Sequence, residues 1–574
     1  MKKVILKILR DSIIFLIIST IFISLNIYFD TIPAKTLGTI IDYLPKSNVY
    51  EDEIIKNIYV LIFASLLCMV CRLVWKMCVQ VISRSAEKTM KDEIFKQFLR
   101  LKLDSIQNIK NGELMSYLTK DIAEIRSFIY RLSNQIVRAV AIFIIAITRM
   151  KEVNSKLTVT VLIPLLLSIV ITFFIKNKIS KSFKEAQTKF TAMSEFVQES
   201  TDSIRTTKAY SIEDSQSETF VRKNNSVRLA NQTVDYYQAL FYTSIDICFG
   251  LCIGISLIYG SSLVLSHQIS VGDLVAFTGY LALFEKPMIW IPAIVSKAKR
   301  ARISYARLDK LYSLEVEPIS DNASSDANTI KGDIVIKNLT FNYPEYTDEV
   351  LKNVSLRIPQ GSTLGIIGTI GSGKTTLTNL LLRLYDFENN KIFIDGKDIK
   401  SLDLEDLRKS FCYITQDNFL FSNTIKNNIT LFKDDYREED VIDSVDKAMF
   451  KSDLDSMKDG IETIIGDKGI DLSGGQKQRV VISRAFLNRS NFIIFDDTFS
   501  ALDNKTEKEL LKNIKELTEN KTCIIISNRI SDIKDADNII VLDDGVIVEE
   551  GKHNDLVNKE GLYRNFYLQQ SSKF

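Results

Sequence analysis

Gly368-Thr-Ile-Gly-Ser-Gly-Lys374-Thr375-Thr376 is the stretch that decides how the second half of this chain folds. It fits G-x-x-x-x-G-K-[ST], a loop whose backbone N–H groups cradle polyphosphate. Thr363 to Ile367, just before it, is a short apolar run that predicts a buried strand. Thr376 to Leu382, just after it, has helical spacing. Strand, glycine-rich turn and helix in that order put free N–H groups at the positive end of a helix dipole. Gly371 and Gly373 let the backbone approach a ligand closely. Lys374 is placed to reach the β- and γ-phosphates of a nucleotide, and the Thr375 hydroxyl to ligate Mg²⁺. The expected cradle is Gly368, Thr369, Ile370, Gly371, Ser372, Gly373, Lys374, Thr375 and Thr376.

Other residues gather around this loop. Asn491-Phe-Ile-Ile-Phe-Asp496 reads as a buried strand ending in a carboxylate, which suits a Mg²⁺ shell. Gln416 follows the apolar run Phe411 to Ile414 and is placed to sense the metal or its water; it joins Thr375 and Asp496 as an expected metal contact. Tyr343, in Phe341-Asn-Tyr-Pro344, is placed to stack on adenine. Leu472-Ser473-Gly474-Gly475-Gln476 directly precedes a predicted helix, Lys477 to Leu487, and so makes a second anion-binding N-terminus. One ATP needs only one such cradle per domain. Two chains facing each other would each supply one, so the pattern predicts a dimer.

The first half is of another kind. A chain of 574 residues is too long for one core, and its net charge of +2 argues against nucleic acid as a partner. Ser12 to Phe29, Leu157 to Ile175 and Ile247 to Leu265 are apolar runs long enough to span a bilayer. Weaker spans run from Ile58 to about Ile82, about Ile129 to Thr148, and Leu274 to about Val295. They carry Arg72, Lys76, Arg131, Arg138, Glu285 and Lys286 in or beside them. Such charges either face a protein interior or water-filled pathway, or sit at span ends and snorkel. Cys68, Cys71, Cys78, Cys248 and Cys252 read as small buried hydrophobes.

Lys2, Lys3, Lys7 and Arg10 precede the first span, and long charged stretches, Arg84 to Arg126 and Lys176 to Arg228, separate spans two and three and spans four and five. The positive-inside rule puts both termini and both stretches in the cytoplasm, with Arg149, Lys151 and Lys156 as exceptions. The stretches read as spanning helices continued beyond the membrane. They turn near Asn108 to Gly112 and near Ser200 to Asp214, with tips that either stay solvated or dock on a cytoplasmic domain. The expected division is a six-span all-α transmembrane domain, 1–314, with long cytoplasmic helical extensions; a polar linker, 315–328; and an α/β P-loop domain, 329–574.

The P-loop together with Leu472-Ser-Gly-Gly-Gln476 resembles what an ATP-binding cassette carries, and nearly the whole chain resembles an exporter-type half-transporter of that family. The resemblance implies ATP and Mg²⁺ as cofactors, hydrolysis coupled to transport, a plasma-membrane location in a bacterium, and partners among lipid and small-molecule substrates. It also implies a dimer with each ATP between one chain's P-loop and the other's signature. Thr201 to Asp214 is similar to the family's second coupling helix, and Ser500-Ala-Leu-Asp503 to the loop joining the two sites.

Two positions depart from the family. Where it places a glutamate that activates water, this chain has Asp497; where it places a histidine on the γ-phosphate, this chain has Asn528. Neither His267 nor His553 stands where it would substitute. That combination resembles the degenerate-site subunit of heterodimeric bacterial multidrug exporters, whose intact signature completes the site of a partner carrying Glu and His. An ATP-gated channel or regulator, an uptake system of exporter-like fold and a homodimeric exporter are the alternatives. The residues do not name the substrate.

Overall fold

The computed structural model describes residues 2–44, 51–107, 109, 111–317, 330, 332–344, 348–466, 472–499 and 504–571. The chain forms two compact units: residues 1–99 with 109–314, and residues 100–108 with 315–574.

The described residues of the first unit form helices joined by short turns. Its main rods are α1 (Lys2–Tyr43) and α2 (Glu51–Leu99). After the short α3 (Leu103–Gln107), which belongs to the second unit, come α4 (Asn111–Ser116), α5 (Ile122–Arg131) and α6 (Val137–Val153). Then follow α7 (Ser155–Asp202), α8 (Ile204–Ala209), α9 (Glu213–Leu265), α10 (Val271–Ala282) and α11 (Glu285–Tyr312). Among the described residues, five helical runs are long and apolar enough to cross a membrane: Lys2–Tyr43, Asp52–Leu99, Ser155–Asp202, Glu213–Leu265 and Val271–Tyr312. α7 has 48 residues. At about 1.5 Å per residue that is more than twice the roughly 30 Å of hydrocarbon in a bilayer, so the rods continue well past it.

The remaining expected span, Ile129 to Thr148, is not one α-helix. Wide turns at Tyr117–Asp121 and Leu132–Ile136 hydrogen-bond in the π pattern on either side of α5. Each such turn adds a residue and rotates the face that follows, a local adjustment that hydropathy does not register. The expected span from Leu274 also breaks, at Leu283 and Phe284. Phe284 is fully buried at the break, and Glu285 and Lys286 stand exposed at the start of α11.

Two connections are very tight. Between α6 and α7 there is only Asn154, whose side chain accepts from the N–H groups of Lys156 and Leu157 at 3.0 Å each. Asp42 of α1 caps α10, accepting from Gly272 N at 2.8 Å and Ser270 Oγ at 2.6 Å. The approach requires glycine, because a Cβ on Gly38 would lie 2.3 Å from the Gly272 carbonyl oxygen. The buried core joins Ile23, Ile27, Trp75, Val79, Ile142, Val161, Phe277 and Phe284. All seven cysteines are buried and free.

The second extension turns at Ser203 to Ile212, around α8, inside the stretch expected to turn. The first extension differs: α2 already stops at Leu99, and Asn108 and Lys110 lie outside the described residues. Its tip packs within the second unit. Leu101 bridges Val316, Lys102 pairs with Glu315 at 2.6 Å, and Gln107 Nε2 donates to Tyr385 OH at 2.7 Å. Arg408 grips Glu317 with a two-pronged contact, 2.8 Å on each oxygen. The rest of the expected linker lies outside the described residues.

Two sheets carry the second unit. β1 (Ile334–Phe341), β2 (Leu351–Ile358), β4 (Ile392–Ile394) and β5 (Lys397–Asp398) pair antiparallel in the order β2-β1-β4-β5. The larger sheet uses β3 (Thr363–Gly368), β6 (Phe411–Ile414), β7 (Phe492–Asp496), β8 (Thr522–Ile526), β9 (Asn538–Asp543) and β10 (Val546–Gly551), in the order β10-β9-β3-β8-β7-β6. β3, β6, β7, β8 and β9 run parallel, with β10 antiparallel at the edge. β7 and β8 are buried along their whole length, as their unbroken apolar runs require. Loops at the carboxyl ends of parallel strands are where such sheets bind ligands. Here these are the loops after β3, β6, β7 and β8.

Candidate functional site

β3 delivers the loop Gly368–Gly373 to the helix Lys374–Leu381. Gly371 and Gly373 have φ of 83° and 96°, which side-chain-bearing residues avoid. Gly368 is required for another reason: a Cβ there would lie 2.0 Å from the Leu542 carbonyl oxygen on β9. Lys374 Nζ curls back over the loop and donates to the carbonyls of Gly368 at 2.9 Å and Thr369 at 2.7 Å. Burial draws its ammonium below the usual lysine range, against the pull of Asp497 and Asp496.

Asp496, at the end of β7, is buried. Thr375 Oγ1 donates to one of its oxygens at 3.3 Å and Tyr413 OH to the other at 3.1 Å. Burial raises its carboxyl above the ordinary range, and these two hydroxyls oppose the rise. Tyr413 was not expected. It sits on β6 in a run read only as apolar, and a tyrosine inside a buried strand is a signal that its hydroxyl has a partner.

Tyr343, Ile370 to Thr376, Gln416, Asp496, Asp497 and Asn528 line one cavity of about 470 Å³, with Val350 and Ile526 completing it. Gly368, Thr369 and the signature residues Ser473 to Gln476 are not among its lining residues. Tyr343 OH bonds Thr376 Oγ1 at 2.9 Å, and its ring meets Tyr385 edge-on at 4.9 Å. Ser372 Oγ is buried in the loop with no hydrogen-bond partner among the described residues.

Asp497 has a left-handed backbone, φ 46°, which aspartate tolerates better than most residues. Its N–H bonds Ile526 O at 2.9 Å, and Asn528 Nδ2 reaches its Oδ2 at 3.5 Å. The two departures from the family pattern therefore touch. His553 is elsewhere, bonded to Tyr563 OH at 2.7 Å, and His267 lies in the turn after α9.

The signature begins the helix Gly474–Leu487. Ser473 and Gln476 cap it reciprocally, at 3.3 Å and 2.8 Å. Gln476 Nε2 and Arg479 Nη2 both donate to Asp453, at 2.8 and 2.7 Å, so Asp453 holds the turn's shape. Ser500 to Asp503 lie outside the described residues.

Behind Asn528, Gln570 of the final helix accepts from Ile530 N at 2.9 Å and donates to Asn528 O at 2.8 Å. Beneath that loop Ser527 Oγ donates to Asp532 at 2.5 Å, and Ser531 Oγ lies 3.0 Å from Asp532 and 3.1 Å from Glu507. One hydroxyl hydrogen cannot serve both carboxylates. Burial, with Glu507 nearby, pushes the Asp532 carboxyl up to about 7. A carboxyl raised on folding contributes stability below its unfolded pKa of about 3.9, and that contribution is lost as pH rises through about 7. Asp532→Asn should therefore gain thermal stability relative to wild type between pH 5 and pH 8, read by scanning fluorimetry; a constant difference would contradict this.

Comparison with known proteins fits this geometry. Residues 14–288 match the family described as "ABC transporter transmembrane region" and residues 351–500 that described as "ABC transporter". The probable multidrug resistance ABC transporter ATP-binding/permease protein YheI of Bacillus subtilis is 33% identical over 485 residues, covering 84% of this chain and 83% of that one. The multidrug resistance-like ATP-binding protein MdlA of Escherichia coli is 28% identical, covering 94% and 91%. The ATP-dependent lipid A-core flippase of Photobacterium profundum is 27% identical, covering 96% and 94%. A solved bacterial Atm1-family ABC exporter with ATP bound shares the fold, with a TM-score of 0.79 at 22% identity over 98% of each chain.

The chain belongs to the ATP-binding cassette transporters, as an exporter-type polypeptide with a helical transmembrane domain followed by an α/β nucleotide-binding domain. It is a multi-pass membrane protein whose cassette binds ATP, in a family that couples ATP hydrolysis to transport.

Proposed function

We propose that this chain is one half of a heterodimeric exporter of drugs or lipid-like compounds, with both termini cytoplasmic. Its own P-loop holds ATP and Mg²⁺ but does little chemistry. The observation that carries this is the Asp497–Asn528 pair, which shares one wall of the P-loop cavity at 3.5 Å. Aspartate is one methylene shorter than glutamate, so its carboxylate stops short of an attacking water. Asparagine carries no positive charge at any pH. Losing general-base help alone costs about 10²–10⁴ in rate.

Thr375, Asp496 and exposed Gln416 supply the oxygen donors that Mg²⁺ takes, and Thr375 already touches Asp496. The helix at Ser473 is properly capped, which supports an intact signature serving a partner's ATP. Exposed Ile204, Tyr210 and Ile212 at the tip around α8 support docking of that tip on a partner's cassette. The known relatives named for multidrug resistance and lipid A-core flipping support an amphiphilic substrate.

Purified without a partner, the chain should bind nucleotide and hydrolyse it at a small fraction of the rate of the two-chain complex. Turnover by the chain alone at the complex's rate would overturn the heterodimer reading.

A further inference from the structure

The final helix, Leu562–Ser571, is anchored at its start. Glu549 on β10 accepts from the N–H groups of Leu562 and Tyr563. The Tyr563 side chain is fully buried, and its hydroxyl lies 2.7 Å from His553 Nδ1. Phe566 packs on the apolar core that holds Ile530 and Ile533. From this anchor the helix runs on to Gln570, whose side-chain amide meets the loop after β8.

Gln570 Oε1 accepts from Ile530 N at 2.9 Å, and Gln570 Nε2 donates to Asn528 O at 2.8 Å. One planar amide therefore spans the two peptide groups on either side of Arg529. Both groups stand outside the regular ladders. Asn528 lies past the end of β8, and Ile530 is the first residue of the helix Ile530–Ile533, whose opening N–H groups have no acceptor within the helix. Main-chain groups beside a buried core need partners, and here a side chain some forty residues away supplies them.

The loop is also held from its other side. Ser527 N donates to Ile366 O on β3 at 3.2 Å, and Arg529 N donates to Ser527 Oγ at 2.9 Å. Neither bond touches the Asn528 carbonyl. Turning that peptide would swing the Asn528 side chain, which lines the nucleotide cavity with Lys374 and Asp497. Gln570 is not among the residues lining that cavity, so an effect of Gln570 there passes through Asn528.

We propose that Gln570 is a positioning residue of the nucleotide site: it fixes the Asn528 backbone so that the Asn528 side chain meets the terminal phosphate of bound ATP. The final helix is then part of the site. Glutamine fits the task because one side chain offers both an acceptor and a donor; glutamate lacks the donor and methionine lacks both. This rests on the reading that this chain's P-loop holds ATP, and it does not require that the site be slow.

The test is a double-mutant cycle on the two-chain complex, with the partner's own site silenced by a substitution in the partner. The readout is equilibrium binding of radiolabelled Mg·ATPγS, which needs no hydrolysis. Gln570→Met keeps length and bulk and loses both hydrogen bonds, so it should weaken binding by about fivefold, the scale of a lost hydrogen bond or two. Gln570→Glu sets a carboxylate against Asn528 O and should weaken it at least as much. Asn528→Ala should cost a similar factor. In the Asn528→Ala background Gln570→Met should cost less than about twofold, because the side chain it positions is gone.

A merely structural glutamine would give the same loss in both backgrounds, and that result overturns the proposal. Wild-type affinity in Gln570→Met overturns it too, since packing alone would then be the helix's contribution. So does wild-type affinity in Asn528→Ala, which leaves nothing to position. If Gln570→Met does not assemble, Gln570→Glu takes its place in the cycle. Brisk hydrolysis at this site with the coupling intact sinks the slow-site reading alone; additive losses at a slow site sink this proposal alone. An unmodified complex that binds no Mg·ATPγS sinks the reading of the P-loop and this proposal with it.

Discussion

Gly475→Asp in this chain should lower ATP turnover of the reconstituted pair by at least about 10²-fold, the scale of losing a preorganised anion-binding donor. The substitution puts a carboxylate in the first turn of the helix Gly474–Leu487, which Ser473 and Gln476 cap and Asp453 holds. The dipole at that end favours negative charge from a ligand, and a fixed carboxylate would occupy the field meant for a partner's γ-phosphate. Like charges in a partly dry interface also repel strongly. Lys374→Ala should be much milder. It removes the cation whose Nζ lies over Gly368 and Thr369, so ATP binds this chain more weakly, and a site that does little chemistry has little turnover to lose. Steady-state hydrolysis with each single variant makes the comparison. If Lys374→Ala is the more damaging, hydrolysis occurs on this chain and the role given to Asp497 and Asn528 is wrong.

Asp497→Glu combined with Asn528→His should raise hydrolysis at this chain's own P-loop by about 10²-fold or more, the low end of what a positioned base supplies. Glutamate recovers the missing methylene, and histidine recovers a side chain able to carry charge near the γ-phosphate. One cost is visible in advance. Residue 497 has φ 46°, a region aspartate enters more readily than glutamate, so the variant should lose some stability, on the order of 1 kcal/mol. The rate gain should be seen in a complex whose other site is silenced by a substitution in the partner. No gain there would mean that something other than these two side chains limits the site.

Much of the cassette is legible locally. The loop Gly368 to Thr376 carries its strand, its glycines and its helix in one short segment, and the structure joins Thr375 to Asp496 at 3.3 Å as their motifs suggest. Other features depend on partners far along the chain, which spacing cannot supply. Gln570 holds Asn528 from 42 residues away. Arg72 and Arg138 read separately as charges in or beside two weaker spans, Asp30 lies just past a run that reads as uncharged, and only packing shows that the three are one cluster. The π turns flanking α5 preserve hydropathy while changing register, so Ile129 to Thr148 reads as a single, weaker span. Leu103 to Gln107 reads as part of a charged rod and instead packs with the cassette, because Leu103 finds apolar partners there.

The most direct measurement is nucleotide lifetime at each site of the working complex. Photo-reactive radiolabelled ATP is loaded, chased with unlabelled ATP, and crosslinked at intervals, and the label on each chain is followed. This chain's cassette should keep intact labelled ATP for many turnovers after the partner's label has gone to ADP and left. Equal lifetimes on the two chains, or faster loss from this one, would contradict a retained ATP at the site walled by Asp497 and Asn528.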